Sequence, residues 1–178
     1  MYHRDSARHR KTCRSKGVAM ILDSGERREF ITGAVRDITE DKGRCDLLPL
    51  EEVVSLFNAD FEDISPLESL ARYQNTKNPA FISNAIVSFC KMKGWDFPTA
   101  MLELSIHMAE GAKKYGEWNW QKGIPTHSYI DSAVRHLLKV IRCDTDERHD
   151  RAFIWNCICC LWTINNKPEL DDYGKEES

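Results

Sequence analysis

The sequence predicts an all-α fold, a helical bundle preceded by an irregular N-terminal segment. Apolar residues recur every three or four positions in several separate stretches, as on the inward face of an amphipathic helix. No run alternates apolar and polar residues in the way of a half-buried strand. Helix start and stop signals complete the pattern, with Pro49 and Ser65 at predicted starts and Gly94 at a predicted end.

Length and composition indicate a single domain. The 178 residues are enough to bury one core. A formal net charge of -3 and a sequence pI near 6.1 do not suit a dedicated nucleic-acid binder, which carries a basic excess. No apolar run reaches the roughly eighteen residues of a membrane span, and no apolar stretch marks a secretory signal. We therefore expect no nucleic acid and no membrane as partners, and a cytoplasmic location.

The chain divides into three predicted parts. They are a flexible leader over residues 1–23, a single domain over 24–164 and a solvated acidic tail over 165–178. The domain begins with a stretch rich in glycine and charge, for which we expect irregular backbone. Long loops in a compact domain are uncommon unless they are functional. Arg36, Lys42 and Arg44 in this loop either reach anionic oxygens or are ordinary surface charges.

Three helices are predicted before the central block of the chain. Pro49 opens the first, which ends near residue 58. Ser65 caps the second. Residues 79–93 form the third, whose stop signal is Gly94.

Residues 98–164 form three further helices, and the first of these has two opposite stripes. Its polar stripe recurs at i, i+4, i+7 and i+11 and consists of Glu103, His107, Glu110 and Lys114. Two carboxylates and an imidazole on one helical face suit a divalent cation, and oxygen ligands suit Mg²⁺ or Mn²⁺. The alternative is an ordinary solvated face.

The middle helix carries Asp131 and Arg135 at the edge of its core stripe. Their spacing of four residues is that of an ordinary ion pair on a helix surface. Asp131 also follows Glu110 by twenty-one residues. Antiparallel packing of the two helices would bring these two acids together.

The third helix places two acids in line with its apolar face. Ile154, Ile158 and Leu161 define that face, and Glu147 and Asp150 fall within roughly 40° of its centre at about 100° per residue. Acids that face a core are usually paired, hydrogen-bonded or bound to a cation, because an unpaired buried charge is costly. Alternatively, both acids belong to an exposed first turn, where the helix dipole favours them.

The loop between the first two helices of the block offers groups for a nucleotide. Trp118, Asn119 and Trp120 can present a π surface to a purine and an amide to its edge, and one stacking contact is worth roughly 1 to 3 kcal/mol. Packing of the Trp rings into the core explains them equally well. Lys113 and Lys114 either bind phosphate oxygens or complement the dipole at a helix C-terminus.

The seven cysteines do not indicate a disulfide framework or a zinc site, because their number is odd and their spacing fits neither. Cys157, Cys159 and Cys160 lie in a predicted helix among apolar residues. We expect them to be buried structural thiols.

The strings GAKKYGEWNWQKGIPTHSYIDSAVRHLLKVIR and DERHDRAFIWN resemble the dATP/dGTP diphosphohydrolase family, found mostly in phage genomes. TGAVRDITEDKGRCDLLPLEEVV resembles its N-terminal signature, so the likeness covers most of residues 24–164. This family is related in chemistry to the all-helical nucleotide pyrophosphohydrolases typified by MazG and dimeric dUTPases. The resemblance implies that fold, and cleavage of dATP or dGTP to the monophosphate and pyrophosphate with Mg²⁺ or Mn²⁺. It also implies a homodimer or homotetramer, and the host cytoplasm if the chain is phage-encoded.

The related enzymes carry their ions on an ExxE pair and an ExxD pair from successive helices. This chain has His107 and Glu110 at the first spacing, with His in place of Glu, and a true ExxD at Glu147 and Asp150. Asp131 lacks a Glu three residues before it, and Cys143 stands where the family usually has glycine.

Together these patterns give a set of expected roles. The expected metal ligands are Glu103, Glu110, Asp131, Glu147 and Asp150. Glu110 and Glu147 are the expected catalytic carboxylates, of which a spare one accepts a proton from the water that attacks the α-phosphorus. The expected substrate contacts are Lys113, Lys114, Asn119, Trp120, Arg135, His136 and His149.

Two other interpretations remain open. The adjacent His149 and Asp150, with His127 or His136 upstream and Asp171 or Asp172 downstream, are also compatible with an HD-type metal phosphohydrolase acting on nucleotides. The third interpretation is a helical interaction module without catalysis, whose acids pair with Arg and Lys.

Overall fold

The predicted all-α fold is confirmed by a computed structural model, which describes residues 25–38, 43–57 and 64–173. The α-helices of these residues are Leu50–Phe57 (α1), Ser65–Thr76 (α2), Ala80–Lys93 (α3), Phe97–Tyr115 (α4), Thr126–Arg142 (α5) and His149–Asn166 (α6). Short 3₁₀ turns lie at Cys45–Leu47, Asn119–Lys122 and Pro168–Leu170. Within the described ranges, none of the helices has the length and apolar character needed to cross a bilayer. The predicted leader, Lys42 and the last five residues of the predicted tail lie outside the described residues.

The N-terminal segment contains a small β-hairpin where the sequence predicts irregular backbone. Arg27–Glu29 (β1) and Val35–Asp37 (β2) pair antiparallel. The main-chain N–H of Phe30 donates to the carbonyl of Ala34 at 2.9 Å and closes the hairpin. Strands of three residues are too short to show an alternating pattern, which explains why the sequence does not reveal them.

Helix α6 is the centre of the fold, because α3, α4 and α5 all pack against it. Phe153 of α6 meets Phe89 of α3 with ring centroids 4.4 Å apart. The prediction of buried thiols is confirmed for the three cysteines of α6, which are Cys157, Cys159 and Cys160: they are free and fully buried, and burial raises their pKa values.

The predicted inward face of α6 is only partly correct. Ile154 is fully buried, whereas Ile158 and Leu161 are half-buried. The helix begins at His149, so Glu147 precedes it and its direction does not follow from helical periodicity. The structural reason is that α6 has neighbours on several sides, which leaves no single apolar stripe to mark one inward face.

The C-terminal segment docks onto the helices instead of forming the predicted solvated tail. Asp172 accepts a hydrogen bond from the main-chain N–H of His127 at 3.0 Å, and its other oxygen lies 2.6 Å from Nδ1 of the same residue. Asp171 accepts from the hydroxyls of Thr126 at 2.9 Å and Tyr73 at 3.2 Å. Tyr173 is buried and stacks on Tyr73. Because these acids meet the first residues of α5, they act as a cap from outside the helix.

The capping role of Asp172 predicts a stability loss in Asp172→Ala. We expect the free energy of unfolding at neutral pH to fall by about 1 kcal/mol, the usual cost of a lost cap, as measured by urea denaturation. Burial opposes ionisation of Asp172, but hydrogen bonds from His127 hold its pKa below the ordinary value. The carboxylate therefore stabilises the fold above the unfolded pKa of about 3.9, and this contribution disappears as pH falls through the folded pKa.

The difference between wild type and Asp172→Ala should accordingly shrink below about pH 4. Glu169→Ala, an exposed acid of the same segment, is the control and should change stability little. Equal stabilities for Asp172→Ala and wild type at neutral pH would refute the cap.

The close approach at Gly123 predicts a second stability effect. Gly123 has φ +102°, and an added Cβ would lie 2.5 Å from Cδ1 of Leu170 and 2.7 Å from Cδ of Lys167. We expect Gly123→Ala to cost about 1 to 3 kcal/mol through strain and displacement of this segment. In Gly111→Ala, the control in α4, the new Cβ meets nothing within 4 Å. That change should be neutral or stabilise by up to about 1 kcal/mol, and equal thermal midpoints for the two variants would contradict the packing.

Candidate metal and phosphate site

Three donor atoms converge where α5 meets the start of α6. His136 Nδ1 lies 3.0 Å from His149 Nδ1 and 3.1 Å from Glu147 Oε1. The third edge, from His149 Nδ1 to Glu147 Oε1, is 3.0 Å. We call these residues the triad. They form one of the groups of side chains in the described residues that can hold a metal ion.

Two members of the triad, His136 and Glu147, have the protonation states that metal ligation requires. His149 Nε2 lies 2.7 Å from Asp146 Oδ1, which orients the ring. Burial lowers the pKa of His149, but hydrogen bonds with Glu147 and Asp146 raise it overall, so an ion at the triad would replace a proton on Nδ1. Burial lowers the pKa of His136 to about 3, which keeps this imidazole neutral. Burial of Glu147 opposes ionisation, but contacts with His149 and His136 hold its pKa near 2, so it is a carboxylate.

The polar stripe of α4 faces α6, so the alternative of a solvated face is wrong. His107 is 8% exposed, whereas Leu102 and Ile106 on the other side are 67% and 43% exposed. Glu103 pairs with Arg148 at 2.8 Å and with Arg151. The cations that meet these acids are therefore guanidinium groups of α6 and the residue before it.

Two further predicted metal ligands also contact basic side chains. Asp150 lies 2.9 Å from Nε of Arg148 and 3.6 Å from Nζ of Lys93. Glu110 lies 3.7 Å from Nη1 of Arg151. Acids from α4 and α6 thus converge as predicted, but arginines compensate Glu103 and Asp150.

Two buried polar atoms beside this cluster lack a protein partner. They are Nδ1 of His107 and Oε2 of Glu110. Burial lowers the pKa of His107 to about 4, while the charge of Glu147 opposes this shift. The triad is therefore close enough to act on His107. Buried polar atoms without partners are uncommon in folded proteins and are typical of places where a ligand, ion or water binds.

Trp155 of α6 lies between α4 and α5 and forms a floor between them. Its ring centroid is 5.8 Å from that of His107 and 5.9 Å from that of Tyr129. The guanidinium of Arg36, from β2, lies over both Trp155 and Tyr129, at 5.6 and 5.3 Å from the ring centroids. A cation is thus held over an aromatic floor next to the polar stripe of α4.

Asp131 and Arg135 are not part of this cluster. Asp131 pairs with Arg135 and accepts a hydrogen bond from the main-chain N–H of Cys45 at 2.6 Å. Arg135 also donates to the carbonyl of Gly43 at 3.1 Å. None of the contacts among the described residues joins Asp131 to Glu110, so the predicted meeting of these acids is not observed. The pair instead fastens α5 to the segment before α1.

The groups predicted to bind substrate around the α4–α5 loop have mostly structural partners. Asn119 is buried and bonds both main-chain groups of Val35, at 3.0 Å as acceptor and 2.9 Å as donor. Trp120 packs edge-on against Trp162 at 5.2 Å. Lys114 pairs with Asp37 at 2.7 Å. These side chains therefore have structural roles, and their predicted contacts with the purine and the phosphates stay predictions.

Two other groups of the same region remain accessible. Lys113 is exposed at the end of α4, where its predicted phosphate contact stays a prediction. Trp118 is 64% exposed, and its ring centroid lies 6.5 Å from that of Trp120.

The HD-type constellation does not assemble. His136 and His149 meet, but Asp150 contacts Arg148 and Lys93 instead of completing that group. His127, with Asp171 and Asp172, lies nine residues before His136 at the other end of α5, about 13 Å along the helix.

Sequence reasoning missed the basic side chains of the site, Arg148 and Arg151, together with Asp146 and Trp155. One available signal was the position of the two arginines at the N-terminal end of a helix, where the dipole disfavours a cation. Such a placement indicates acids nearby, which here come from α4 and from Asp150.

Residues 84–173 match the family described as dATP/dGTP diphosphohydrolase, N-terminal. The match spans half of the chain and contains α4, α5, α6 and the triad. Neither a curated protein nor a solved structure matches the chain. By its sequence match, the chain belongs to the dATP/dGTP diphosphohydrolase family.

Proposed function

We propose that this protein hydrolyses dATP or dGTP to the monophosphate and pyrophosphate with the help of a divalent ion at the triad. The family match supports a diphosphohydrolase, and its description names both purine nucleotides. The observation that carries the metal assignment is the convergence of His136, Glu147 and His149 with edges of 3.0, 3.0 and 3.1 Å.

The triad fits a divalent ion. Adjacent ligands of an octahedral ion at about 2.1 Å are about 3.0 Å apart, which is the spacing of these three atoms. Two imidazoles with one carboxylate favour a first-row transition ion over Mg²⁺, which prefers oxygen ligands and water. Of the two expected ions we therefore propose Mn²⁺. When bound, such an ion would neutralise phosphate charge and make a water molecule more acidic.

Glu110 is our proposed proton acceptor. Its Oε2 is buried without a partner, which leaves a carboxylate oxygen available to a water molecule. In the reaction an oxygen of water bonds to the α-phosphorus, and the bond from that phosphorus to the bridging oxygen of the β-phosphate breaks. The water proton passes to Glu110, and the electron pair of the broken bond leaves with pyrophosphate. Arg151, held by Glu103 and near Glu110, lies where it can stabilise charge on the phosphates.

One observation favours the non-catalytic interaction module. Glu103 and Asp150 are compensated by Arg148, Arg151 and Lys93 without an ion. Among the described residues, the triad forms no ion pair with Lys or Arg. A structural cluster also gives no reason for the buried atoms of Glu110 and His107 that lack a partner. Calorimetric titration with Mn²⁺ separates the two, since a module without a metal site takes up no stoichiometric Mn²⁺.

The predicted homodimer or homotetramer and the cytoplasmic location stay proposals. Leu102 and Ile106 on the outer face of α4, with Phe97 at its start, are exposed apolar side chains. A subunit contact would be expected to cover them.

The direct test is incubation of the purified protein with each of the four dNTPs and Mn²⁺ or Mg²⁺, followed by separation of the products. We expect purine dNTPs to give the monophosphate and pyrophosphate. Release of intact triphosphate or of orthophosphate would instead favour an HD-type reaction, and no turnover with any nucleotide would contradict the proposal.

Removal of a triad ligand gives the first site prediction. In Glu147→Gln we expect Mn²⁺ affinity to fall at least about tenfold, because a neutral amide replaces a charged ligand, and dNTP hydrolysis to fall with it. Calorimetry measures the first effect and product release the second. Glu169→Gln, an exposed acid of the C-terminal segment, is the matched control. Wild-type Mn²⁺ affinity in Glu147→Gln would exclude the triad as the metal site.

The role of Glu110 gives the second site prediction. Glu110→Gln keeps the shape of the side chain but cannot accept the proton, so we expect kcat to fall by about 10² to 10⁴ with Mn²⁺ affinity unchanged. If Mn²⁺ affinity falls as well, Glu110 is a metal ligand instead. A kcat close to wild type would remove Glu110 from the chemistry altogether.

A further inference from the structure

A small pocket of about 40 Å³, partly open to solvent, lies between the β-hairpin and the first half of α5, apart from the triad. Its wall contains three arginines, Arg28, Arg36 and Arg44, and one face of α5 that includes Ser128 and Ser132. These three guanidinium groups make the pocket positively charged unless nearby carboxylates compensate them.

The acids of the pocket wall are already compensated by other side chains. Asp37 pairs with Lys114 at 2.7 Å and with Arg27 at 3.2 Å. Asp131 pairs with Arg135. Neither carboxylate therefore has to compensate the arginines that face the pocket.

The three arginines differ in their partners. Arg44 pairs with Asp46 of the 3₁₀ turn that follows it. Arg28 is exposed and lies over the ring of Phe30. None of the ion pairs among the described residues includes Arg28 or Arg36. The pocket thus holds two guanidinium charges that no described carboxylate pairs with.

Arg36 is the less exposed of these two and has only neutral partners. It donates to the carbonyl of Ser128 at 3.1 Å, to Oγ of Ser132 at 3.2 Å and to Oδ1 of Asn156 at 2.8 Å. These bonds use three of the five N–H donors of a guanidinium. Burial lowers the pKa of Arg36, as expected for a desolvated cation. A cation held in this way is costly unless an anion binds beside it.

Two partners of Arg36, Ser132 and Asn156, lie on the helices that carry the two histidines of the triad. Ser132 and His136 are four residues apart on α5, and Asn156 and His149 are seven apart on α6. These separations are about one and two helical turns, or about 5 to 10 Å along the helix axes. A phosphoryl group at Arg36 would therefore lie within the reach of a triphosphate whose α-phosphate is at the triad.

We infer that this pocket binds the pyrophosphate end of the nucleotide substrate, with Arg36 as its main phosphate contact and Arg28 as a second cation. The N–H groups that these bonds leave unused, on Nε and Nη1 of Arg36, can each donate a charge-assisted hydrogen bond to a phosphoryl oxygen. The inference rests on the proposed function for the identity of the nucleotide. The affinity of the pocket for pyrophosphate does not depend on metal or on catalysis.

Calorimetric titration with sodium pyrophosphate in buffer containing a chelator tests the pocket directly. Wild type should bind, and Arg36→Met should bind at least about tenfold more weakly, the loss expected for charge-assisted hydrogen bonds. Arg72→Met is the matched control, because Arg72 is exposed and lies over the ring of Phe81, outside the pocket wall. No binding by wild type, or equal loss in Arg72→Met, overturns the inference.

Arg36 also has structural contacts, so two further variants keep the test decisive if Arg36→Met misfolds. Arg28→Gln changes an exposed side chain and should weaken pyrophosphate binding severalfold with an unchanged thermal midpoint. Arg36→Lys keeps the charge without the Nε and Nη1 donors and should bind between wild type and Arg36→Met. Wild-type affinity in both variants overturns the inference.

A competition experiment tests whether the pocket binds the phosphates of the nucleotide substrate. A nonhydrolysable purine deoxynucleoside triphosphate should displace pyrophosphate from wild type, and failure to displace it would show that the pocket does not serve the substrate. Displacement without any hydrolysis of natural dNTPs would contradict the proposed reaction and leave the pocket assignment intact.

Discussion

Compensation of charge between α4 and the start of α6 is the constraint on which the rest of this structure depends. Glu103 and Glu110 face inward from α4, and Arg151 is buried opposite them on α6. Breaking one member of such a pair would leave a partly buried charge unpaired, which is strongly destabilising. The polar face of α4 can pack against α6 only because the two helices carry opposite charges there.

This constraint also explains why Arg148 and Arg151 stand at a helix end that disfavours cations. The dipole of α6 works against them, but Asp150 in the first turn and Glu103 across the interface provide negative charge. None of these arginine ion pairs includes a residue of the triad. Acids that arginines already hold are poor candidates for metal ligands, whereas Glu147, which meets two imidazoles, is a good one.

Much of the fold could be predicted from the sequence, because it follows from local signals. The apolar periods and the stop at Gly94 place the helices within a few residues, and the resemblance to the family agrees with the match over residues 84–173. The short hairpin and the docking of Asp171 to Tyr173 could not be predicted. Both depend on contacts between distant parts of the chain, such as Val35 with Asn119 and Asp172 with His127.

The site was predicted less well for a related reason. Periodicity indicates which face a side chain is on, but it does not choose between an ion and an arginine as the partner of an acid. Glu103 and Asp150 have arginine partners, and Asp131 pairs four residues along its own helix. His136 and His149 were expected to contact substrate. They converge with Glu147 only because the turn between α5 and α6 folds back on both helices.

That turn determines whether the triad is preformed. His136 and His149 lie on packed helices, while Glu147 belongs to the turn, so its position depends on what holds the turn in place. Lys139 pairs with Asp146 at 2.9 Å, and Arg142 pairs with Asp144, both at exposed positions. Exposed pairs are individually weak, but Asp146 also orients His149. One carboxylate thus links the fold of the turn to the direction of a proposed metal ligand. An ion at the triad would in return stabilise the junction of α5 and α6, because it binds the folded state and not the unfolded chain.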